Sequence, residues 1–408
     1  MKVCIHRGAR QIGGSCVEIE HENARLILDL GLPLDAEDDV GLLPSVSYDG
    51  LRAVLISHPH QDHYGLLHHL PQEVPVAMGA AARRIIRAAA PFTRQKIVAL
   101  TGPDLEHRKS VDFWPFLVTP FLVDHSAYDA YALLVEAGGK RLLYSGDIRA
   151  HGRKSGITEN LLSHPPKDID ALLLEGSSLS RLPDDADFPS EEDLENLLMN
   201  SMRATEGLVM VYTSGQNLDR LVSVYRASRK CGRTLVIDLY AATVLEATGN
   251  EKLPQSHWEG VALCVPQAQR VQVKNEGWFE LLKRHSKNRI YPGAIARNPS
   301  KFTLLFRPLW MRDLDRVGAL TNACLVYSLW EGYLKTGKFQ SVEAWLAMHQ
   351  IPLHRIHTSG HASPKDLKRF ATAVAPKVLV PIHSFAPERY KSLYSNVVIH
   401  GDGEWWEV

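Results

Sequence analysis

Four side chains that bind metal ions well stand within six consecutive residues of this chain. They are His58, His60, Asp62 and His63, in the stretch SHPHQDH at 57–63. Neutral imidazole and carboxylate groups are common ligands of Zn²⁺ and of related ions such as Mn²⁺. Because three imidazoles and one carboxylate cannot complete the shells of two ions, the cluster predicts further ligands elsewhere in the chain.

The residues in front of the cluster predict how it is held. Ala53 to Ile56 are all apolar, which is typical of a buried strand that ends where the cluster begins. Side chains at the carboxyl end of a buried strand point into a crevice and are held by rigid backbone. The same pattern recurs at His125, Asp147, Glu175 and His383, each of which ends or follows an apolar run, and His361 precedes a predicted helix.

Taken singly, these distant residues have ordinary explanations. A lone histidine is more often structural than functional, and Asp147 or Glu175 could cap a helix or a turn. Taken together, their recurrence at strand ends indicates a two-metal site at one end of a layered sheet.

Composition narrows the class of protein. The 408 residues exceed one typical core, which predicts two domains or one domain with an insertion. Five scattered cysteines predict reduced core thiols and hence a cytoplasmic location. No apolar stretch reaches transmembrane length and the first residues lack the apolar core of a signal peptide, so we expect no membrane partner.

The charge balance does not by itself indicate a polyanionic substrate. There are 46 basic and 46 acidic residues, so any nucleic-acid binding would depend on local patches. The candidates lie at 83–96, with Arg83, Arg84, Arg87, Arg94 and Lys96, at 149–154, and at 283–289. The ordinary alternative for each is a solvated face or loop.

Changes of pattern along the chain predict its organisation. The first part reads as short strands, with a hairpin turn at Gly138-Gly139, and the polar stretch 181–189 is typical of a linker. A capping-box helix start at 190–193 opens a region of alternating strands and helices, which predicts a small parallel sheet. After about residue 340 the pattern of the first part returns, with a helix from Ser363-Pro364 and a strand over 377–383.

These motifs resemble the metallo-β-lactamase superfamily, and specifically its β-CASP nuclease branch, which includes ribonuclease J and the cleavage-and-polyadenylation endonuclease. Asp29, the 57–63 cluster, His125 and Asp147 are similar to the four superfamily motifs in order. Glu175, the SGHAS stretch at 359–363 and Pro381-Ile382-His383 resemble β-CASP motifs A, B and C, and Tyr327 to Leu334 is similar to the segment that closes the insertion.

The resemblance implies a fold and a set of ligands. The fold is an α/β protein, a metallo-β-lactamase αββα sandwich with an inserted β-CASP α/β cap domain. The sandwich would contain residues 1–185 and 346–408, and the cap 186–345. Two divalent ions, Zn²⁺ or alternatively Mn²⁺, would be held by His58, His60 and His125 and by Asp62, His63 and His383, with Asp147 bridging both.

The resemblance also implies catalytic roles. Two ions close together share a water and lower its pKa, which supplies hydroxide for attack on phosphorus. His361 would donate the proton that the leaving group needs, Glu175 would orient His361, and Asp62 counts as both ligand and catalytic residue. Backbone N–H groups near Ser359, Gly360 and Ser363 would approach a phosphate at the start of the following helix.

The implied function is a metal-dependent ribonuclease that cuts single-stranded RNA internally, from the 5′ end, or both, and a homodimer is considered. The nearest alternative is a single-stranded DNA nuclease, which His383 disfavours because DNA-directed relatives have another residue there. A thioester or lactone hydrolase is disfavoured by the insertion of about 150 residues, and a non-catalytic scaffold by the complete ligand set. Ser384-Phe385 departs from the family's usual Gly and acidic residue, which leaves phosphate or end recognition open.

Overall fold

The chain divides into two compact units. In the computed structural model, residues 1–36, 39, 41–93, 95, 100–335 and 337–408 are described, with 335 and 338 through their backbone alone. The first unit contains Met1–Phe188 and Gly360–Val408, and the second contains Pro189–Ser359. Arg94 and Lys96, which belong to one of the predicted basic patches, lie outside the described residues.

The elements are numbered in chain order. The strands are β1 (Lys2–Arg7), β2 (Cys16–His21), β3 (Ala24–Leu28), β4 (Leu51–Leu55), β5 (Val76–Gly79), β6 (Asp104–Leu105), β7 (Val111–Phe113), β8 (Phe116–Val123), β9 (Ala130–Ala137), β10 (Lys140–Tyr144), β11 (Ala171–Glu175), β12 (Val209–Tyr212), β13 (Thr234–Ile237), β14 (Val261–Cys264), β15 (Arg289–Ile290), β16 (Phe302–Phe306), β17 (Cys324–Tyr327), β18 (Leu353–Arg355), β19 (Val378–Ile382) and β20 (Trp405–Glu407). The helices are α1 (Gln61–Tyr64), α2 (Ala80–Thr93), α3 (Ser155–Ser163), α4 (Glu191–Ala204), α5 (Leu218–Lys230), α6 (Leu239–Ala247), α7 (Gln267–Asn275), α8 (Phe279–Arg284), α9 (Pro292–Arg297), α10 (Met311–Val317), α11 (Gln340–Met348), α12 (Pro364–Val374) and α13 (Tyr390–Leu393).

Two sheets form the centre of the first unit. Their strand orders are β20-β1-β2-β3-β4-β5-β6 and β19-β11-β10-β9-β8-β7. Alternate residues of both sheets, such as Ile5 and Val17 on one and Leu133 and Leu142 on the other, share one buried core. Since successive residues of a strand point to opposite faces, the remaining apolar residues need a cover on the outside.

Helices supply that cover on both sides. Ile27 and Val54 of the first sheet pack with Ile86 of α2, and Leu134 and Leu172 of the second pack in a cluster that contains Phe370 of α12. Helix, sheet, sheet and helix therefore form four layers, and the predicted αββα sandwich is confirmed. The predicted hairpin turn is also present, because Gly138 and Gly139 have φ of 56° and 72° between β9 and β10.

The second unit is built on one parallel sheet, in the order β15-β14-β13-β16-β12-β17-β18. Its first helix, α4, starts with the predicted capping box, in which Ser190 and Asp193 bond each other's backbone N–H. The unit ends at Ser359, whereas the sequence predicted an end at residue 345. Residue 345 lies inside α11, and β18 follows it and extends the sheet by pairing with β17.

A buried ion pair joins distant segments of the second unit. Arg220 of α5 donates to Glu191 at 3.0 Å and to the Thr358 carbonyl at 3.3 Å, and neither charged side chain is exposed beyond 1%. A buried guanidinium must find acceptors for several N–H groups, and these segments supply them. Both ends of the second unit are thereby anchored to α5.

Among the helices of the described residues, none combines the length and the apolarity that crossing a bilayer requires.

A histidine in the first sheet gives the fold a measurable pH dependence. His6 Nε2 lies 2.6 Å from Glu18 Oε2, which is almost fully buried. Burial lowers the pKa of His6, but hydrogen bonds with Cys4 and Glu18 outweigh it and raise the pKa to about 9. A raised folded-state pKa stabilises the fold fully below pH 6.5, and this stabilisation is lost as the pH rises through about 9.

We therefore expect the free energy of unfolding to fall by roughly 1–3 kcal/mol between pH 6.5 and 9.5 relative to a His6→Gln variant. Urea denaturation of both proteins across this range measures the difference. His164→Gln, at an exposed position of the same unit, serves as control and should follow the wild type. Parallel pH curves for wild type and His6→Gln would contradict the assignment.

Candidate metal centre

The predicted site residues of the first unit follow the carboxyl ends of strands in both sheets. His58 and His60 come after β4, and His63 lies on α1. His125 comes after β8, Asp147 after β10 and His383 directly after β19, and Glu175 is the last residue of β11. The sandwich thus brings the sequence-predicted ligands together, although the chain separates them by more than 300 positions.

One group consists of three histidines. Metal-binding atoms of His58, His60 and His125 all lie within 4.8 Å of one another. His60 Nδ1 and His125 Nε2 face each other at 3.3 Å. Three converging imidazole nitrogens are the ligand set of many zinc sites.

A second group contains a carboxylate that also lies close to the first group. Asp62, His63, Asp147 and His383 also have metal-binding atoms within 4.8 Å of one another. Asp147 Oδ2 lies 3.1 Å from His63 Nε2, 3.8 Å from His383 Nε2 and 3.6 Å from His58 Nε2. Asp147 therefore faces both groups, as the bridging position requires.

Several buried atoms in these groups fit a bound cation. In the part of the chain that the structure describes, Asp147 Oδ1 and the Nε2 atoms of His58, His63 and His383 are buried without a hydrogen-bond partner. Burying such atoms without a partner is costly, whereas a metal ion would satisfy all of them. The number and the type of these donors suit a pair of divalent ions.

Another His–Asp group in the same unit is held together without a metal ion. Asp39 lies close to His68 and His69. The three side chains are not fully buried, and each histidine forms an ion pair with Asp39. Their geometry has an explanation without a metal.

Asp29 sets the orientation of two histidines. Its carboxylate accepts from Ser57 Oγ at 2.8 Å, from Tyr144 Oη at 2.7 Å, and from His63 Nδ1 at 2.7 Å. Ser57 Oγ also lies 3.0 Å from His58 Nδ1, and because its one proton goes to Asp29, it must accept from His58. Both histidines therefore carry a proton on Nδ1 and present Nε2 to the site, which is the form that binds metal.

The electrostatics of the site attract positive charge. Burial lowers the pKa of His58 well below its ordinary value and that of His60 to about 4, so both are neutral. Burial also opposes a charge on His63, but Asp147 and other carboxylates outweigh it and hold the pKa of His63 well above its ordinary value. Burial would raise the pKa of Asp147, but the surrounding histidines hold it well below its usual range. Neutral His58 and His60 beside the ionised Asp147 form a suitable environment for a cation, and an ion bound at His63 would displace the Nε2 proton of that ring.

His361 lies beside these groups and has its own support. Its Nδ1 is 3.1 Å from Ser177 Oγ, 3.6 Å from Glu175 Oε1 and 3.7 Å from Asp147 Oδ2. Glu175 is fully buried and is fixed by Ser177, whose backbone N–H and hydroxyl both donate to Oε2. Burial lowers the pKa of His361, but Asp147 and Glu175 outweigh it and raise the pKa above its ordinary value.

The predicted phosphate-binding residues have mixed placements. A Cβ at Gly360 would lie 2.6 Å from Ser126 Oγ, so glycine is needed for this close approach. Ser363 is buried and caps α12 through the Asp366 N–H, which occupies its hydroxyl. Ser359 belongs to the second unit. Phosphate binding by these residues stays a prediction.

Two of the predicted basic patches contain structural arginines. Arg149 is fully buried and donates to Asp124 at 3.2 Å, and Lys154 donates to the His125 and Ala127 carbonyls at 3.2 Å. Arg83 is buried and donates to four backbone carbonyls, those of Leu100, Val76, Gly102 and Pro103. Arg149 and Arg83 therefore belong neither to a nucleic-acid patch nor to a solvated face, because burial removes their guanidinium groups from any ligand.

Sequence reasoning missed the hydroxyl groups that hold the histidines. Ser57, Ser177 and Ser15 each contact a site histidine, and Tyr144 bonds Asp29. Serine is too common to attract notice, and only the position of Ser57 and Ser177 next to a strand end gave a signal.

The departure from the family pattern at 384–385 is explained in part, since Ser384 Oγ donates to the Gly176 carbonyl and Phe385 is exposed.

Comparisons with known proteins agree with this architecture. The model of the beta-lactamase superfamily domain matches residues 40–187. Ribonuclease J of Mycobacterium tuberculosis is 24% identical over 246 residues, 57% of this chain and 43% of the relative. Ribonuclease J of Helicobacter pylori is 23% identical over 414 residues, 92% of this chain and 55% of the relative. An RNase J-like protein of Methanocaldococcus jannaschii is 26% identical over 213 residues, 49% of this chain and 47% of the relative.

A solved structure supports the fold over the whole chain. A protein of unknown function from Enterococcus faecalis has 22% sequence identity and a TM-score of 0.79, and the match covers 99% of both chains. The chain spans about half the length of the curated relatives that it matches. With its αββα sandwich and its motif residues gathered at the strand ends, the chain has a metallo-β-lactamase-type fold, matches the beta-lactamase superfamily domain over residues 40–187, and is similar to ribonuclease J proteins.

Proposed function

We propose that the protein is a metal-dependent ribonuclease that hydrolyses phosphodiester bonds in single-stranded RNA. The observation that carries the proposal is the buried carboxylate of Asp147, which faces two groups of metal-binding side chains and lies beside His361. Two-metal sites of this kind serve phosphodiester hydrolysis in many unrelated enzymes. The choice of RNA rests on the similarity to ribonuclease J proteins.

Each group has a distinct role in the proposal. His58, His60 and His125 would hold one ion, Asp62, His63 and His383 the other, and Asp147 both. When bound, two divalent ions lower the pKa of a water and polarise a phosphoryl oxygen. Zn²⁺ is the ion that this imidazole-rich set favours, and Mn²⁺ is the alternative.

The remaining residues handle the proton. Ser177 and Glu175 engage His361 at Nδ1, and Nε2 lies on the opposite side of the ring. A protonated His361 would donate from Nε2 to the oxygen of the leaving nucleotide as the bond to phosphorus breaks. Glu175 stabilises the positive charge that His361 carries before this transfer.

Single-stranded DNA is the nearest alternative substrate, because its phosphodiester has the same chemistry. The test is a comparison of labelled RNA and single-stranded DNA of one sequence at equal concentrations, with a thioester and a lactone assayed in parallel. We expect RNA to be degraded at a clearly higher rate than DNA, and the small molecules not at all. Comparable rates on both nucleic acids would favour a general or DNA-directed nuclease, and turnover of the thioester alone would overturn the proposal.

The mode of cutting is part of the same experiment. RNAs with a 5′-phosphate, a 5′-triphosphate or a 5′-hydroxyl give mononucleotides if cutting proceeds from the 5′ end, and defined fragments if it is internal. The homodimer and the cytoplasmic location stay predictions from the sequence.

A further inference from the structure

We propose that Ser15 and Tyr144 are positioning residues, Ser15 for His383 and Tyr144, through Asp29, for His63, and that they thereby set the metal affinity of the group formed by Asp62, His63, Asp147 and His383. This group is called the second ligand group below. The inference rests on the metal centre of the proposed function and goes beyond it, because neither residue is itself a ligand.

His383 needs support from its surroundings. Its backbone has φ of 54°, in the left-handed region that is costly for residues other than glycine. The backbone is held by a hydrogen bond from His383 N to the Gly8 carbonyl at 2.7 Å. The side chain has its shortest polar contact at Nδ1, with Ser15 Oγ at 2.9 Å.

Ser15 is itself firmly placed. Its side chain is fully buried, its N–H donates to the Asp62 carbonyl at 3.0 Å, and its carbonyl accepts from Gly31 N at 3.0 Å. Ser15 therefore connects two members of the second ligand group, Asp62 through the backbone and His383 through the hydroxyl. A displacement of Asp62 or of His383 would therefore shift the other residue.

The tautomer of His383 depends on which neighbour engages Nδ1. The Gly13 N–H faces the same nitrogen at 3.4 Å, and donation from it requires an unprotonated Nδ1. A neutral ring would then carry its proton on Nε2 and could not bind a metal there. Ser15 Oγ, at 2.9 Å, can accept from a protonated Nδ1, which leaves Nε2 as the ligand. Without the Ser15 hydroxyl, only the Gly13 N–H would remain beside Nδ1. The population of the tautomer that carries its proton on Nε2 would then increase.

Tyr144 supports the other histidine of the group through Asp29. Tyr144 donates to Asp29 Oδ2 at 2.7 Å, and the same oxygen accepts from His63 Nδ1 at 2.7 Å. Each histidine of the second ligand group therefore has its own buried hydroxyl support, directly for His383 and through Asp29 for His63.

The test is a metal titration of four variants. Metal-stripped wild type, Ser15→Ala, Ser15→Thr and Tyr144→Phe are titrated with Zn²⁺ against a chromophoric chelator, and with Co²⁺ while the visible spectrum is recorded. Ser223→Ala is the matched control, because it removes a buried hydroxyl that bonds Glu191 in the second unit. Thermal unfolding of the stripped proteins shows whether each variant folds.

We expect Ser15→Ala to weaken binding of one of the two ions by about 10–100-fold, the usual effect of removing such a support, while the other ion binds as in the wild type. Tyr144→Phe should weaken the same ion by a smaller factor, because Asp29 can still accept from His63 and from Ser57. Ser15→Thr keeps the hydroxyl and should restore affinity, and Ser223→Ala should match the wild type.

Three results would overturn this role. Ser15→Ala could bind both ions with wild-type affinity, or could weaken both ions equally without rescue by Ser15→Thr. Wild-type affinity in Tyr144→Phe would overturn the role of Tyr144. Should Ser15→Ala not fold, Ser15→Cys, which replaces the hydroxyl by a weaker thiol acceptor, takes its place, and wild-type affinity there would overturn the role of Ser15. A wild-type protein that binds fewer than two ions would instead overturn the metal centre itself, so the two failures are distinguishable.

Discussion

Replacement of His361 by alanine is expected to reduce RNA cleavage by about 10²–10⁴-fold while the protein keeps both metal ions. The physical reason is that His361 is placed to give a proton to the leaving oxygen and is engaged at Nδ1 by Ser177 and Glu175. Elemental analysis and single-turnover cleavage of labelled RNA measure the two quantities separately. His164→Ala, at an exposed histidine of the same unit, should be unaffected in both.

A substrate with a better leaving group sharpens this test. A p-nitrophenyl phosphodiester releases a stable anion that needs no proton, so the His361→Ala defect should be much smaller with it than with RNA. An equal defect on both substrates would show that His361 does not act as the proton donor. Loss of metal from His361→Ala would show that it is a ligand, since His361 also forms a metal-binding group with His125 and Asp147.

Replacement of Asp147 by asparagine is expected to have the largest effect of all. We expect the bound metal to fall from two ions to one or fewer, and RNA cleavage to fall by more than about 10³-fold, because each ion contributes several kcal/mol to the transition state. Asp147 is the one carboxylate within 4 Å of Nε2 of His58, His63 and His383 among the described residues. Asparagine keeps the volume and removes the charge.

Elemental analysis of the purified Asp147→Asn variant measures the loss of bound metal. Asp112→Asn, at an exposed position of the same unit, is the control. The stripped variant should remain folded, because Asp147 lies at a strand end and the core between the sheets does not include it. Two firmly bound ions and wild-type cleavage in Asp147→Asn would rule out the bridging role.

The sequence could predict those site residues that stand at the ends of apolar strands. Ala53 to Ile56 and Val378 to Ile382 are continuous apolar runs, so His58 and His383 could be placed at the ends of buried strands without a structure. Motif resemblance then gave the order of the site residues and the αββα sandwich. These signals depend on residues that are neighbours in the chain, so a single sequence is enough to detect them.

The supports of the histidines carry no such signal. Ser15 and His383 are 368 positions apart, and their contact depends on how the loop after Gly8 lies against the end of β19. The burial of Arg149 could not be predicted for the same reason, because a basic residue in a polar stretch gives no indication that it lies against Asp124. β18 gave no signal because it is only three residues long, too short for a periodic pattern.

The central claim is that the site around Asp147 hydrolyses RNA through two bound ions. Its most direct test is the cleavage of one 5′-labelled RNA by wild-type protein in three states: loaded with two ions per chain, stripped by a chelator, and reloaded. The proposal predicts cleavage in the first and third states and none in the second. Intact RNA in the presence of protein that carries two ions per chain would contradict it.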